Sequence, residues 1–263
     1  MKAVAAIALL SVAAVRAAFT ETVNGVTYTV THLDADGSEL PVEFGPAIDA
    51  TSRAAQREQR RRARADDRER RAQTFSNWCG AANLDPPGGV WNEVSGGWTV
   101  PGISLRSGQS AYSQPSLIDS NGYQENYAWF EFVPAPLRTF NMNVNTGDQM
   151  SGLVTADGSR SGNVTISNLS TGQSMNFYFS DGGADLCGTS AEWILEDLTS
   201  LPSGSLEPFA DFPDTYFTDC EASTTGGQSA GPGTNNVNIA QNGRELCAGS
   251  ISGNNVYVHS TSH

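Results

Sequence analysis

The chain has 263 residues, 38% of them hydrophobic, and a formal net charge of −13. Beyond residue 73 there is no lysine, and four arginines stand against 18 acidic residues, which leaves −14 for that part. Such a surface repels phosphate groups and argues against nucleic-acid binding. An acid-rich, base-poor surface loses most of its charge at low pH, a pattern typical of proteins that work in acid.

Residues 1–18 are predicted to be a signal peptide. Lys2 precedes a short apolar run, and small residues follow at Ala17 and Ala18, as at a cleavage site. The run is too short to cross a membrane, and no later segment approaches ~20 consecutive apolar residues. We therefore expect a secreted, extracellular protein with no membrane partner.

Residues 19–73 are interpreted as a propeptide. Its first half contains Asn24-Gly25 between β-forming residues, which predicts a small hairpin. Its second half, residues 53–71, holds nine arginines and four acids, which indicates a basic helix, a disordered charge run or a nucleic-acid tail. Because an acidic domain follows, we expect the chain's own propeptide to act as an intramolecular inhibitor that acid releases. Arg70-Arg71 is the predicted processing point, with self-cleavage nearby as the alternative.

From residue 74 onward the pattern predicts an all-β domain. Apolar and polar residues alternate with period two, as Phe140, Met142 and Val144 do with the asparagines between them. Many short strands without intervening helices favour a sandwich or a barrel. The predicted strands are 90–100, 127–133, 139–144, 150–155, 163–167, 174–179, 191–198, 209–218, 237–240 and 256–259.

Four cysteines and two sequons fit an exported protein. Cys79, Cys187, Cys220 and Cys247 are far apart in sequence and include no Cys-x-x-Cys pair, so we expect disulfides rather than a zinc site. Three connectivities are open at this stage. Asn163-Val-Thr and Asn168-Leu-Ser are predicted glycosylation sites.

Residues 187–200 combine three carboxylates with several large apolar side chains. Read as a strand, this stretch puts Glu192 and Ile194 on one face and Trp193 and Leu195 on the other. A carboxylate among apolar side chains loses water, which favours its neutral form and suits a general base or acid in acidic medium. The alternative is an ordinary strand with a solvated outer face.

The same stretch carries a family resemblance. Ala191-Glu192-Trp193, within residues 185–197, closely resembles the glutamic peptidases, or eqolisins, which are secreted acid proteases found mainly in fungi. The resemblance continues, in the family's order, at residues 76–81, 97–101, 126–132, 168–174 and 208–212. It implies an antiparallel two-sheet β-sandwich of the lectin-like (concanavalin A) kind over residues 74–263, with Glu192 as the catalytic carboxylate.

The resemblance also has implications for the substrates and cofactors of the protein. It implies an acid endopeptidase for protein or peptide substrates that uses neither metal nor cofactor, and we expect a monomer. Trp78 and Glu131 match positions that line the family's substrate cleft.

One family element is missing from this sequence. The family's second catalytic group is a Gln amide that follows a strand reading Trp-Val-Gly-Ile-Asp-Gly. Here residues 103–117 resemble the loop before that strand, and residues 120–132 resemble the segment after the Gln. Gln114 is the candidate replacement. In the family, the counterpart of Cys187 commonly pairs with a cysteine of the missing block, so its partner here stays open, with Cys247 as one alternative.

Two non-catalytic interpretations follow from the missing block. The chain is either an inactive family member whose sandwich binds peptide or glycan, or a structural secreted protein without a ligand.

Overall fold

The computed structural model describes residues 19–23, 25–45, 73–104, 111–113, 116–118, 123–132, 137–180, 185–197, 206 and 208–261. Within these residues all regular structure is β, so the predicted fold class is confirmed. The predicted signal peptide, the basic segment 53–71 and Gln114 lie outside the described residues. No described segment forms a helix able to cross a membrane.

The strands in chain order are numbered β1 to β19. The first ten are β1 (Phe19–Val23), β2 (Val26–Leu33), β3 (Gln73–Phe75), β4 (Trp78–Asn83), β5 (Trp91–Thr99), β6 (Ala111–Ser113), β7 (Ser116–Ile118), β8 (Gln124–Asn126), β9 (Ala128–Phe130) and β10 (Arg138–Phe140). The others are β11 (Gln149–Ala156), β12 (Gly162–Asn168), β13 (Ser174–Ser180), β14 (Ala191–Glu196), β15 (Thr215–Thr224), β16 (Ser229–Ala230), β17 (Asn235–Gln241), β18 (Arg244–Ser252) and β19 (Asn255–Ser260).

Most strands belong to one long sheet that turns back on itself. Its order is β1-β2-β13-β12-β11-β5-β15-β19-β18-β17-β4-β14, and its pairings are antiparallel except that β3 runs parallel to β17. The terminal strand β14 lies against β5, where Trp193 Nε1 donates a hydrogen bond of 2.7 Å to the Ser95 carbonyl. Two small sheets, β9-β10 and β6-β7-β8, complete the described strands. The result is the sandwich arrangement that the sequence predicted.

The core has three parts. The largest lies between the β2-β13-β11 part of the long sheet and the β9-β10 layer, and stacked rings fill it: Phe130 lies 4.1 Å from Phe177, centroid to centroid. The second surrounds the disulfide that joins Cys79 to Cys247. The third packs β4 and β14 against β5 and β15 around Trp91 and Trp193. The third part fixes the strand that carries Glu192.

The strand predictions agree with most of the long sheet but omit β3, β4, β6, β7, β8, β16 and β18. Seven of the ten predicted ranges closely match observed strands. In 127–133 the strand covers only Ala128–Phe130, in 139–144 it ends at Phe140, and in 209–218 it begins at Thr215. The prediction missed β4, five of whose six residues are buried, because a strand covered on both sides shows no alternation. It also missed β18, whose small residues give a weak signal.

The predicted N-terminal hairpin forms, but within the long sheet. β1 pairs with β2 over five residues, and β2 pairs with β13 over seven. Alternate residues of β2 are buried in the largest part of the core. Residues 19–45 therefore pack as an integral part of the sandwich.

The disulfide joins Cys79 of β4 to Cys247 of β18. This pairing excludes the alternative of Cys187 with Cys247. Cys220 is a buried thiol, and burial raises its pKa to about 12. Cys187 lies on the exposed segment before β14, with its Sγ 3.4 Å from Thr189 Oγ1.

Candidate active site

β14 places Glu192 as the alternation predicted. Ala191, Trp193 and Leu195 are buried, whereas Glu192 and Ile194 are half-buried on the opposite face. The register with β4 sets Glu192 opposite Ala82 and Ile194 opposite Gly80. A Cβ on residue 80 would lie 2.1 Å from the Trp193 carbonyl oxygen, at a φ of +144° that only glycine adopts readily. Gly80 therefore permits the close approach of β4 that holds Glu192 in register.

Glu192 lies in the wall of the main cleft, a groove of ≈ 610 Å³ between β5, β9, β11 and β14. Two further carboxylates, Glu93 and Glu131, line it, together with the indole rings of Trp91, Trp98, Trp129 and Trp193. No lysine or arginine contributes to the described lining. Glu131 and Glu192 thus line one cleft, and their roles there stay a prediction.

An apolar side pocket of ≈ 220 Å³ adjoins the main cleft. The side pocket continues inward to Val144, Met150 and Leu195. The two pockets share five lining residues: Trp98, Trp129, Ile166, Ile194 and Phe217. Since nearly all of its lining is hydrocarbon or aromatic, it suits an apolar group rather than a charged one.

Glu192 also lines a third, very small pocket, named here the Glu192 pocket. Its other lining residues are Gln73, Phe75, Trp78, Ala82, Leu84 and Val237. Its volume of ≈ 10 Å³ is about the space that one water molecule requires. Trp78 lies here rather than in the main cleft. Glu192 and Gln73 thus both line a space of water size.

The two carboxylates that follow Glu192 hold a turn of the backbone in place. Glu196 and Asp197 are buried; Asn77 Nδ2 donates to Glu196 Oε1 at 3.1 Å, and the Asp197 amide donates to the Asn77 carbonyl at 2.8 Å. Gln241 Nε2 donates to Asp197 Oδ2 and to the Ser76 carbonyl, both at 2.8 Å. These bonds fix the turn between β3 and β4, which positions Gln73 and Trp78 near Glu192.

Between β5 and β9, the described residues form the meander β6-β7-β8. Gln124 anchors it: its Oε1 accepts from the Ile103 amide at 2.9 Å, and its Nε2 donates to the Pro101 carbonyl at 2.9 Å and to Asn126 Oδ1 at 2.8 Å. The Gln124 amide thus holds the local backbone. Gln114, the predicted replacement for the family's Gln, lies outside the described residues.

The two predicted glycosylation sites differ in accessibility. Asn163 is half-buried on β12. Asn168 is fully buried, and its Nδ2 donates to the Asn143 carbonyl at 2.9 Å and to Asp148 Oδ2 at 2.7 Å. A glycan on Asn168 would replace an Nδ2 hydrogen, break at least one of these bonds and need space at a buried position, so the fold favours Asn163 of the two.

Neither a metal nor a cofactor was predicted from the sequence. Among the described residues there is no group of three or more His, Cys, Asp or Glu side chains that would hold a metal ion.

Sequence reasoning missed one residue of the site, Gln73. The predicted propeptide boundary after residue 73 set it apart from the domain, although it is the first residue of β3 and pairs with Val237. No spacing signal links residue 73 to residue 192, because they meet only through the pairing of β3, β17, β4 and β14.

Comparison with known proteins agrees with this architecture. A model of the Peptidase A4 family matches residues 114–260. Aspergillopepsin-2 of Aspergillus niger is 33% identical over 222 residues, which cover 70% of this chain and 77% of that protein. The crystal structure of scytalido-glutamic peptidase with a transition-state analogue inhibitor superposes with a TM-score of 0.60 at 28% identity, covering 71% of this chain and 98% of that one. An eqolisin-family peptidase in complex with the tripeptide Ala-Ile-His superposes with a TM-score of 0.57 at 27% identity, with the same coverage.

Proposed function

Since the chain belongs to the Peptidase A4 family, we propose that it is a secreted endopeptidase that hydrolyses peptide bonds in acid, with Glu192 as its general base and acid. The observation that carries the proposal is the position of Glu192, half-buried between a tryptophan-lined cleft and a pocket of water size. The net charge of −14 beyond residue 73 suits work at low pH.

The proposed reaction needs only a water molecule and the protein's own groups. Glu192 takes a proton from a water molecule in the Glu192 pocket as the water oxygen attacks the peptide carbonyl carbon. The tetrahedral intermediate carries its negative charge on the former carbonyl oxygen, which needs a hydrogen-bond donor. The protonated Glu192 then gives its proton to the amide nitrogen, the C–N bond breaks, and a carboxyl group and an amine are released.

The oxyanion donor has two candidates. Gln73 shares the Glu192 pocket, and its side-chain amide is of the chemical type that the family uses. Gln114 is the first residue of the segment that the family model matches. Processing at Arg70-Arg71 would leave Gln73 in the mature chain, so both are available to the processed enzyme. We favour Gln73, because it lines the same small pocket as Glu192.

The substrate proposed is a protein or peptide chain lying in the main cleft. Its tryptophans offer apolar contacts, and the side pocket beside Ile194 offers room for one apolar side chain. Three carboxylates and no described cation in the lining disfavour acidic peptides at neutral pH and favour neutral or basic ones. At neutral pH the basic segment 53–71 would occupy the vicinity of these carboxylates as an inhibitor and leave when acid protonates them.

Proteolysis of a denatured protein at about pH 3, near and below the ordinary pKa of a carboxyl group, tests the proposal. The processed parent should cleave the substrate, and Glu192→Gln should lower kcat by about 10²–10⁴, the range for general acid–base groups. Glu221→Gln is the matched control, because Glu221 is exposed on β15 and lines none of these pockets. Equal activity of both variants would contradict the role of Glu192.

The donor is tested separately by Gln73→Ala. Loss of one oxyanion donor should lower kcat by about 10²–10³ with little change in KM. Thr74→Ala is the control, since Thr74 is the exposed neighbour of Gln73 on the same strand. If Gln73→Ala is fully active and Gln114→Ala is not, Gln114 is the donor.

A second candidate function follows from the missing block. A sandwich without an oxyanion donor would bind peptide or glycan without cleaving it, and the use of the Gln124 amide in backbone contacts favours this alternative. Saturable peptide binding by folded, processed parent that shows no cleavage at any pH from about 2 to 7 would support binding alone.

A further inference from the structure

We propose that residues 19–45 are a permanent part of the sandwich, which stays bound as a second, noncovalently held chain after cleavage within residues 46–72. This segment was predicted to belong to a propeptide that leaves. Its contacts are those of a structural element instead.

The first observation is the place of β2 in the long sheet. β2 is an interior strand, paired with β1 on one side and with β13 on the other, from Thr27 opposite Ser180 to Leu33 opposite Ser174. Without this hairpin, β13 would become a seven-residue edge strand with unpaired backbone groups. Sheet proteins avoid long exposed edges, because such edges pair with other chains.

The second observation is the face that β2 buries. Val26, Tyr28 and Val30 are 1%, 2% and 1% exposed, and they belong to the same core as Phe130 and Phe177. The Tyr28 ring lies 4.9 Å from the Phe130 ring, centroid to centroid. If the hairpin left, this aromatic layer would be exposed to water. Burial of such apolar surface is the dominant favourable contribution to the free energy of folding.

The third observation is that the segment binds both layers of the sandwich. While β2 lies on the long sheet, residues 41–45 run along β10 in the opposite layer. Phe44 bridges to Phe140, the Asn141 amide donates to the Glu43 carbonyl at 3.2 Å, and the Gly45 amide donates to the Thr139 carbonyl at 3.0 Å.

The two layers are also joined by charge. The Arg138 guanidinium lies 3.2 Å from the Glu21 carboxylate and stacks over the Phe44 ring at 4.9 Å. Residues 19–45 therefore clamp the β9-β10 layer to the long sheet, and their removal would break contacts on both sides of the core.

The fourth observation is what the segment does not cover. None of its described residues lines the main cleft, the side pocket or the Glu192 pocket. Its retention would leave all three open to a substrate, so the mature protein has no functional reason to release it.

The test uses the whole chain in the Glu192→Gln background, with residues 60–66 replaced by a site for a sequence-specific protease. The background removes self-cleavage, so the result does not depend on the proposed activity. After cleavage the sample is brought to about pH 3 and to pH 7, passed over a sizing column, and weighed by mass spectrometry under native and denaturing conditions.

Both fragments should elute together at either pH and separate only in denaturant, and the amides of β2 should exchange as slowly as those of β13. Val30→Asp in the cleaved protein should lower retention of the short fragment at least tenfold, whereas Thr31→Asp, on the other face of β2, should retain it. A long fragment that elutes alone and keeps a cooperative melting transition would overturn the proposal.

Discussion

Strands β2 and β14 show a similar alternation in sequence, but β2 only packs in the core whereas β14 also lines the main cleft. In β2, Val26, Tyr28, Val30 and His32 are buried, and the residues between them are half-buried. In β14, alternate residues from Ala191 to Leu195 are buried, yet Glu192 and Ile194 on the other face help to line the cleft and its pockets. Alternation therefore identifies the core face of a strand but does not say what covers its second face.

The difference lies in what packs against each strand. The second face of β2 carries three threonines and adds no residue to any described pocket, so its substitutions should act on stability alone. The second face of β14 borders the main cleft because the sheet turns back and brings β14 against β5. Substitutions there should act on activity. Three predictions test this difference between the two strands, beginning with the largest expected effect on stability.

Tyr28→Ala should produce the largest loss of stability. It removes a ring that is 2% exposed and packs edge-on against Phe130, and truncating a buried aromatic residue costs about 3–5 kcal/mol in the free energy of unfolding. Thr29→Ala, on the other face of β2, should change that free energy by less than about 0.5 kcal/mol. Urea unfolding of both variants measures the difference, and similar values would show that β2 does not pack in the core.

Trp193→Phe should cost about 1 kcal/mol more than Trp91→Phe. Both indoles are 4% exposed in the same part of the core, but Trp193 Nε1 donates to the Ser95 carbonyl whereas Trp91 Nε1 has no hydrogen-bond partner. The excess is the net contribution of one hydrogen bond. Thermal melts of the two variants measure the difference. Equal losses of stability would show that this hydrogen bond does not stabilise the contact between β14 and β5.

Alkaline pH should weaken the contribution of β2 through Tyr28. Burial, and secondarily the negative charges of Glu131 and Glu21, raise the pKa of Tyr28 to about 12 from its ordinary 10.0. The folded state thus keeps the phenol proton that the unfolded state loses, so stability is complete below about pH 10 and falls as the pH rises toward 12. The decline measured between pH 9 and 11 should be smaller in Tyr28→Phe. Cys220 also lowers stability as the pH rises, and it does so equally in the parent and in Tyr28→Phe. Identical declines of stability in the two proteins would therefore contradict the role of Tyr28.

The sequence by itself determined the all-β class, most of the strands and the face on which Glu192 lies. Each of these depends on alternation or on short turn signals, such as Asn242-Gly243, where both residues adopt positive φ at a tight turn. It did not reveal β4, because Cys79, Gly80, Ala81 and Ala82 are buried on both faces and leave no period to detect. The resemblance to glutamic peptidases predicts roles for Glu192, Glu131 and Trp78 that alternation alone does not.

Only the tertiary structure decided which residues meet. It placed Gln73 and Glu192 in the lining of one pocket across four paired strands, and it joined Cys79 to Cys247. It also incorporated the N-terminal hairpin into the sandwich, although charge and position suggested a removable leader. Local patterns indicate which face of each segment is buried and which is exposed to water. Contacts between distant segments depend instead on sheet order and register, which no single stretch of this sequence encodes.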